Sequence, residues 1–313
     1  MAAKTDVLCI GVALVDSIIR GFDPEPVSAS GYRAESGTLM AGGEAVNQSV
    51  AAARLGLKAG ILCALGKDAA GDLLVSTLEK AGVATDRIIR PEGHATPVTT
   101  MFVRENGERK SVTNRAHRYN FHPEKYVSLL AGTRAVILGS LFRAPFDDPE
   151  IIGAVLRSAR DAGALVFADT KLPNFRVLTL DDLKDALPLI GWITPNEDEA
   201  RYYTGKETPE EMAEVFLRYG IRNVIIKLGG KGCYFRNAET EIRLPALPVR
   251  AVDSTGAGDC FIAGFVSETL RGSTCGEALR FANACGAICT TAVGAGTALE
   301  SRGQVLRFLS GNP

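Results

Sequence analysis

The chain has 313 residues, 46% of them hydrophobic, enough apolar mass for one large α/β domain or two small ones. Its 35 basic residues balance 36 acidic ones, so it carries no global attraction for nucleic acid or an anionic membrane, and no run of like charge forms a binding tail. Seven cysteines, an odd number without a C-x-x-C pair, argue against a disulfide framework or a zinc site and predict free thiols in a reducing cytoplasm.

Residues 7–15 are nearly continuous in apolar side chains, the pattern of a strand covered on both faces. Asp6 and Asp16 bracket the run, and it is too short to span a bilayer. Residues 281–299 carry no charge, but their glycines, threonines and Asn283 make a poor membrane span. At the carboxyl end of the first strand, Asp16 is positioned to receive a polar ligand. A helix or turn cap would use the same residue type.

Residues 18–22 and 32–40, separated by Asp23-Pro24-Glu25-Pro26, read as short strands outside the main sheet. Gly42-Gly43 then brings the backbone close to a ligand, and a helix follows over residues 45–55, stopped by Gly56. Asn47 in its first turns can donate and accept hydrogen bonds, as a vicinal diol requires; a solvated helix face would also carry such a residue. A strand over 60–65 and a helix over 72–81 come next. Residues 97–104 and 109–114 read as a hairpin across Glu105-Asn106-Gly107-Glu108, because Asn-Gly is the favoured turn dipeptide.

From residue 135 the βα alternation is regular. A strand over 135–138 leads to Ser140, Phe142 and Arg143, a helix spans 149–162, and a strand over 165–168 ends at Asp169. Such alternation implies parallel strands with right-handed crossovers. A strand over 192–194 delivers Asn196 and Glu199 to the same carboxyl edge, although an Asn-capped helix start with acids in its first turn explains them equally. The strand over 223–228 contains Lys227 and runs into Gly229-Gly230-Lys231-Gly232, either a nucleotide loop or a plain glycine turn.

The sharpest signal is Asp253-Ser254-Thr255-Gly256-Ala257-Gly258-Asp259. Three small residues let backbone N–H groups converge, and the helix start beyond them adds partial positive charge, which together favour an anion such as phosphate. Cys260, Phe261, Ile262, Phe265, Val266 and Leu270 recur at helical spacings, with Gly272 as the stop. Asp259 falls in the first turn, where the helix end is expected to keep it charged and a weak base. That suits phosphoryl transfer, in which the attacking hydroxyl needs orientation and late proton removal. An ordinary glycine-containing strand-to-helix turn is the plain alternative. A small-residue helix over 276–291 and a tight turn at Gly294-Ala295-Gly296 follow.

The heptapeptide resembles D-T-x-G-A-G-D, the C-terminal signature of the ribokinase, or pfkB-type, carbohydrate kinases, with Ser254 in place of the commoner Thr. Gly42-Gly43-Glu44-Ala45-Val46-Asn47 resembles the family's N-terminal signature and Asn196-Glu197-Asp198-Glu199 its N-x-x-E motif. The three occur in the family's order and cover nearly the whole chain. This resemblance implies a ribokinase-like α/β fold: a three-layer α/β/α core with a mostly parallel central sheet, as one kinase domain over 1–313. A small β lid, discontinuous over about 17–41 and 96–116, would cover the sugar and in several members pairs two subunits as a homodimer.

The same resemblance implies ATP and Mg²⁺ as cofactors and a small-molecule sugar as substrate. It assigns Asp259 as base, with Gly256, Ala257 and Gly258 as the anion hole. Asp16, Gly42, Gly43 and Asn47 would bind the acceptor, and Asn196, Lys227, Gly229, Gly232 and Asn283 the nucleotide. Glu199 would serve Mg²⁺ through water, which suits an ion that keeps much of its hydration. Backbone oxygens near Asp253 and Thr255 would help ring a monovalent cation, K⁺.

Rival chemistries find little support. Gly205-Lys206 is followed by Glu207 and Gly66-Lys67 by Asp68, so no P-loop occurs, and no strand leads into G-x-G-x-x-G. His94, His117 and His122 sit at no metal-ligand spacing and in no nucleophile elbow. The leading expectation is an ATP-dependent kinase acting on an alcohol group of a sugar or sugar acid. A nucleoside kinase on the same scaffold and a non-catalytic sugar- or nucleotide-sensing protein are the alternatives. Arg104, Arg109, Lys110, Arg115 and Arg118 in the lid, with Arg143 and Lys171 at strand ends, offer pairing for an acidic sugar; a solvated hairpin face is the other reading.

Overall fold

The computed structural model describes residues 5–21, 33–104, 108–114 and 121–312. The turn residues Asn106-Gly107, the segment Asp23-Pro24-Glu25-Pro26, and His117, Arg115 and Arg118 lie outside these. In chain order the first half contains β1 (Thr5–Ile10), β2 (Leu14–Arg20), β3 (Ser36–Gly42), α1 (Glu44–Arg54), β4 (Ala59–Leu62) and α2 (Ala69–Lys80). It continues with β5 (Val98–Val103), β6 (Arg109–Thr113), β7 (Thr133–Leu141), α3 (Pro149–Asp161) and β8 (Leu165–Thr170). The second half contains β9 (Trp192–Ile193), α4 (Glu197–Thr204), α5 (Pro209–Arg218), β10 (Asn223–Lys227), β11 (Cys233–Arg236) and β12 (Glu241–Leu244). The helices α6 (Ala257–Arg271), α7 (Cys275–Cys289) and α8 (Arg302–Ser310) close the chain's described part.

Eight strands form one sheet in the order β12-β11-β10-β9-β8-β7-β1-β4. The pairs from β10 to β4 are parallel, and β11 and β12 add antiparallel strands at one edge. Alternate side chains of each central strand enter opposite cores. Val7 and Cys9 of β1 pack with Ala135 and Ile137 of β7 against α1, α6 and α7. Leu8 and Ile10 pack with Val136 and Leu138 against α3 and α5. Burial on both faces is what the continuous apolar runs required.

A second sheet of four strands has the order β3-β2-β5-β6. Its β2 and β5 are parallel, and the outer pairs antiparallel.

The sequence reading of 7–15 as one strand ending at Asp16 is corrected here. β1 stops at Ile10, the chain passes through Gly11, Val12 and Ala13, and β2 begins at Leu14 in the other sheet. Asp16 therefore lies inside β2 rather than at the end of a core strand. Apolar periodicity missed the break because Val12 and Ala13 in the crossing are as buried as the strands they join. Among the described residues no helix is long and apolar enough to cross a membrane.

Candidate active site

The carboxyl ends of the parallel strands and the starts of α1 and α6 meet around Asp259, while one face of the small sheet lies across a cleft from the turns at 253–255 and 293–295. The Ser254–Gly256 turn delivers the chain to α6 with Gly256 at φ 78°, a left-handed conformation that a side chain would strain. A carbon added at Gly256 would also lie 2.8 Å from the Cα of Ala295. No side chain caps α6, so its first amides are left for another acceptor. The Ala257 N–H closes the turn onto the Ser254 carbonyl at 3.2 Å. Among the described residues, those of Gly256, Gly258 and Asp259 make no backbone hydrogen bond. The carboxylate of Asp253 accepts from the Thr255 N–H and hydroxyl at 3.0 and 2.7 Å and from the Gly294 N–H at 2.9 Å, sewing the 253–256 turn to the 294–296 turn.

Asp259 is only 7% exposed. From α1, Asn47 Nδ2 donates to its Oδ2 at 2.9 Å and Gln48 Nε2 to its Oδ1 at 3.0 Å. Burial pushes its pKa up to about 7, aided by the nearby negative charges of Asp169 and Glu44 and opposed by Lys171 and the Asn47 hydrogen bond. The helix-end argument expected the opposite direction. Desolvation wins because the site removes water from both oxygens, while the helix terminus supplies only a partial charge.

At the acceptor end, Asp16 pairs in register with Met40 of β3. A side chain at Gly42 would run into the Asp16 carboxylate, and one at Gly43, φ 94°, into the Val12 carbonyl. The glycine pair thus lets the start of α1 close against both the crossing and β2. Burial, then the charge of Glu44, raises Asp16 to about 6. Asp16, Ile18, Arg20, Met40, Met101 and Val103 of the small sheet face Asp253, Thr255 and Val293 across a shallow open cleft.

On the other side, Asn196 caps α4, its Oδ1 accepting from the Glu199 N–H at 2.8 Å. Glu199 returns the bond to the Asn196 N–H at 3.0 Å and accepts from Thr170 Oγ1 at 2.7 Å, all through Oε2. This is a capping box, yet Glu199 is buried and its other oxygen makes no hydrogen bond among the described residues. Burial raises its pKa against the pull of Lys227. Among the described residues no group of three or more His, Cys, Asp or Glu could hold a metal. One carboxylate with one free oxygen fits an ion bound mainly by water and phosphate rather than by a protein cage.

Lys227, at the end of β10, donates to Asp169 Oδ1 at 2.6 Å. Its ammonium would lie 3.1 Å from a carbon added at Gly258, so it borders the bare amides of α6. Gly229 is open to solvent, whereas Gly232 packs against the Leu244 carbonyl and Asn283 Nδ2 donates to the Pro245 carbonyl at 3.0 Å. Both of these bear on the segment after β12 rather than on Asp259. Lys171 sits beside the same centre. Burial opposes its charge, but Asp169, Glu44, Asp259 and Glu199 outweigh that and hold it firmly protonated.

Sequence reasoning gave no role to Gln48, and treated Asp169 only as a strand end. The position of Asp169 at the carboxyl end of β8 was the available signal for it; Gln48 had none.

Residues 4–302 match the family described as pfkB family carbohydrate kinase. The chain belongs to that family. Relatives of this pfkB-family chain include a ribokinase of Haemophilus influenzae, 31% identical over 276 residues, with 86% of this chain and 87% of the relative covered. A 2-dehydro-3-deoxygluconokinase of Bacillus subtilis is 30% identical, covering 87% and 86%. An Arabidopsis thaliana ribokinase structure complexed with ribose and ATP superposes with a TM-score of 0.86 at 25% identity, over 98% of this chain and 99% of that one. A putative ribokinase II of E. coli in complex with ATP and Mg²⁺ gives 0.80 at 25% identity, with the same coverage. The fold is therefore ribokinase-like, with its mostly parallel eight-stranded sheet and separate four-stranded one.

The raised pKa of Asp259 has a consequence for stability. The folded carboxyl holds a proton that the unfolded chain releases above about pH 4, so stability from this group is full below that pH and is lost as pH rises toward about 7. Asp259→Asn, which cannot ionise, is expected to gain thermal stability relative to the unmodified chain as pH rises from about 5 to 8, by on the order of 1–3 kcal/mol. A difference in Tm that stays flat across that range would contradict the burial of a charged carboxylate here.

Proposed function

We propose that this carbohydrate kinase transfers the γ-phosphoryl group of ATP to a hydroxymethyl or other alcohol group of a neutral sugar. The observation that carries this is the buried Asp259, held by Asn47 and Gln48 beside the uncapped amides of α6. The acceptor oxygen forms its bond to phosphorus as the bond to the ADP oxygen breaks, and its proton passes to Asp259. A carboxylate with a pKa near 7 serves this better than an ordinary one, because proton transfer is most effective when the base titrates near the working pH.

The amides of Gly256 and Gly258, joined by that of Asp259, and the Lys227 ammonium would neutralise charge on the moving phosphoryl group. Ala257, whose N–H turns onto Ser254, would contribute shape. Asp16, Gly42, Gly43 and Asn47 would hold the acceptor. Asn196, Gly229, Gly232 and Asn283 line the nucleotide side of this reading, with the last two supporting the wall after β12. Mg²⁺, held through water by Glu199, would supply charge neutralisation on the phosphates. A K⁺ ion ringed by backbone oxygens near Asp253 and Thr255 completes the reading; among the described residues the Thr255 carbonyl accepts only from the Cys289 thiol, a weak donor, at 3.4 Å.

Charge at the cleft favours a neutral acceptor over an acidic one. Arg104 pairs with Glu108 at 2.9 Å, Arg143 donates to the Leu172 carbonyl, and Arg20 is the one basic side chain at the cleft among the described residues. The face toward the cleft is instead apolar, with Ile18, Met40, Met101 and Val103 beside Asp16. That face supports a nucleoside acceptor as a second reading, since a base needs apolar surface.

The opposite face of the small sheet supports a homodimer through this lid. Leu39, Ser17, Thr100 and Val112 lie in one register row on the face turned from the cleft, and Leu39 and Val112 are 63% and 64% exposed. Large apolar side chains bare on one sheet face are characteristic of an association surface.

An ADP-release screen over neutral sugars, sugar acids, sugar phosphates and nucleosides is expected to give turnover with a neutral sugar, or with a nucleoside on the second reading. Turnover confined to acids would overturn both. With the best acceptor, Asp259→Asn should lower kcat by about 10³-fold or more while ATP affinity changes less than about threefold, and near-normal turnover would remove the base. Replacing KCl by choline chloride should slow the native enzyme; an unchanged rate argues against the K⁺ site. Sedimentation of Leu39→Glu should shift a dimer to monomer, and a native chain that sediments as monomer refutes the lid interface.

A further inference from the structure

Gln48 is wholly buried, and its side chain spans two carboxylates. Its Nε2 donates to Asp259 Oδ1 at 3.0 Å and approaches Asp169 Oδ2 at 3.5 Å. Its own carbonyl oxygen, Oε1, is buried with no hydrogen-bond partner. Reversing the amide would set that oxygen against two carboxylates, so the orientation is dictated by charge. A buried, unsatisfied carbonyl is unfavourable by about 1–3 kcal/mol, which a residue selected only for packing would avoid. An apolar side chain of the same length would fill the space without it.

Asp169, 2% exposed, continues the line. Its Oδ1 accepts from Lys227 Nζ at 2.6 Å and from Thr194 Oγ1 at 3.1 Å. Lys227 in turn borders Gly258, where the bare amides of α6 begin. Base, amide bridge and carboxylate, all buried, and the partly exposed ammonium therefore form one chain that returns to the helix start from which Asp259 projects.

We propose that Gln48 and Asp169 are positioning residues that couple the base Asp259 to the ammonium of Lys227, fixing the two at opposite sides of the transferring phosphoryl group as a single unit. This rests on the kinase reading above. Asp169 would draw Lys227 back from full pairing with the nucleotide's anionic oxygens and hold it at the cradle. Gln48 orients Asp259 Oδ1, leaving Asn47 to orient Oδ2.

The charged and titratable groups facing Asp259 come from several elements: Glu44 of α1, Asp169 of β8 with Lys171 beyond it, and the Cys9 thiol of β1. The thiols of Cys260 and Cys289 feel it as well. Against that background the two substitutions act in opposite directions. Gln48→Met removes a donor to the charged form, so the acidic limb of the kcat–pH profile should move up. Asp169→Asn removes a neighbouring negative charge, so the limb should move down.

The test is kcat and KM against pH for native enzyme, Gln48→Met, Asp169→Asn and the double variant, with ATP and the best acceptor from the screen. Each single variant is expected to lose about tenfold or more in kcat with KM changed less than about threefold, and the limbs to separate by about 0.5 pH unit or more. The double variant should lose less than the product of the two, because both break one unit. Loss of activity with unmoved limbs and multiplicative effects, as expected of residues that only support the fold, overturns the proposal. If Asp169→Asn melts below the assay temperature, Lys227→Met against Lys227→Arg reads the same pair, and only a partial rescue of kcat by Arg sustains it. Asp259→Asn run alongside separates the two levels: its retention of turnover defeats the kinase role of Asp259, while a dead Asp259→Asn with an unshifted Gln48→Met defeats only this coupling.

Discussion

A carboxylate deprived of water beside the unpaired amides of a helix start is the constraint on which the rest of this structure turns. Asp259 can be buried only because two side-chain amides from α1 hold its oxygens and Lys171 and Lys227 offset the negative charge that gathers with Asp169, Glu44 and Glu199. Desolvation and like charge then set its proton affinity. These groups come from distant stretches of the chain: Asn47 and Asp259 are separated by 212 positions. The parallel sheet brings them together, because every crossover returns the chain to the same edge.

That geometry also explains the conspicuous glycines. Gly42 and Gly43 let α1 start hard against the Asp16 carboxylate and the Val12 carbonyl, and Gly256 lets the turn before α6 pass under Ala295. The small residues keep side chains out of places where backbone must meet ligand or backbone. Asp253 then fixes the two turns on either side of the opening to each other.

Much of this was legible in the sequence, and for physical reasons. Runs such as Ala135-Val136-Ile137-Leu138 announced strands covered on both faces, and the helix over 257–271 was bounded by its glycines. The turn and helix start at the heptapeptide from Asp253 to Asp259, and the helix start at Asn196 to Glu199, were legible because short motifs encode local backbone. Properties that depend on long-range burial were not legible. The passage from β1 into the second sheet was invisible, since the crossing is as apolar as the strands. The proton affinity of Asp259 was read in the wrong direction, because the helix start is local while the lost water is not. The pairing of Arg104 with Glu108, four positions on, was likewise not something charge counting could supply. Gln48 could not be singled out because an amide in a helix carries no signal until its neighbours are known.

Asp16 stands on the four-stranded sheet, whereas Asn47 and Asp259 stand on helices of the larger core. On the proposed reading, a molecule gripped by all three would be a rivet between two separately hydrogen-bonded bodies. Its length along that line would then fix how far apart they rest, and Asp259 would meet a hydroxyl only when that spacing is correct. Acceptor choice in such an arrangement is a measurement of reach, made by the whole sheet rather than by any single contact.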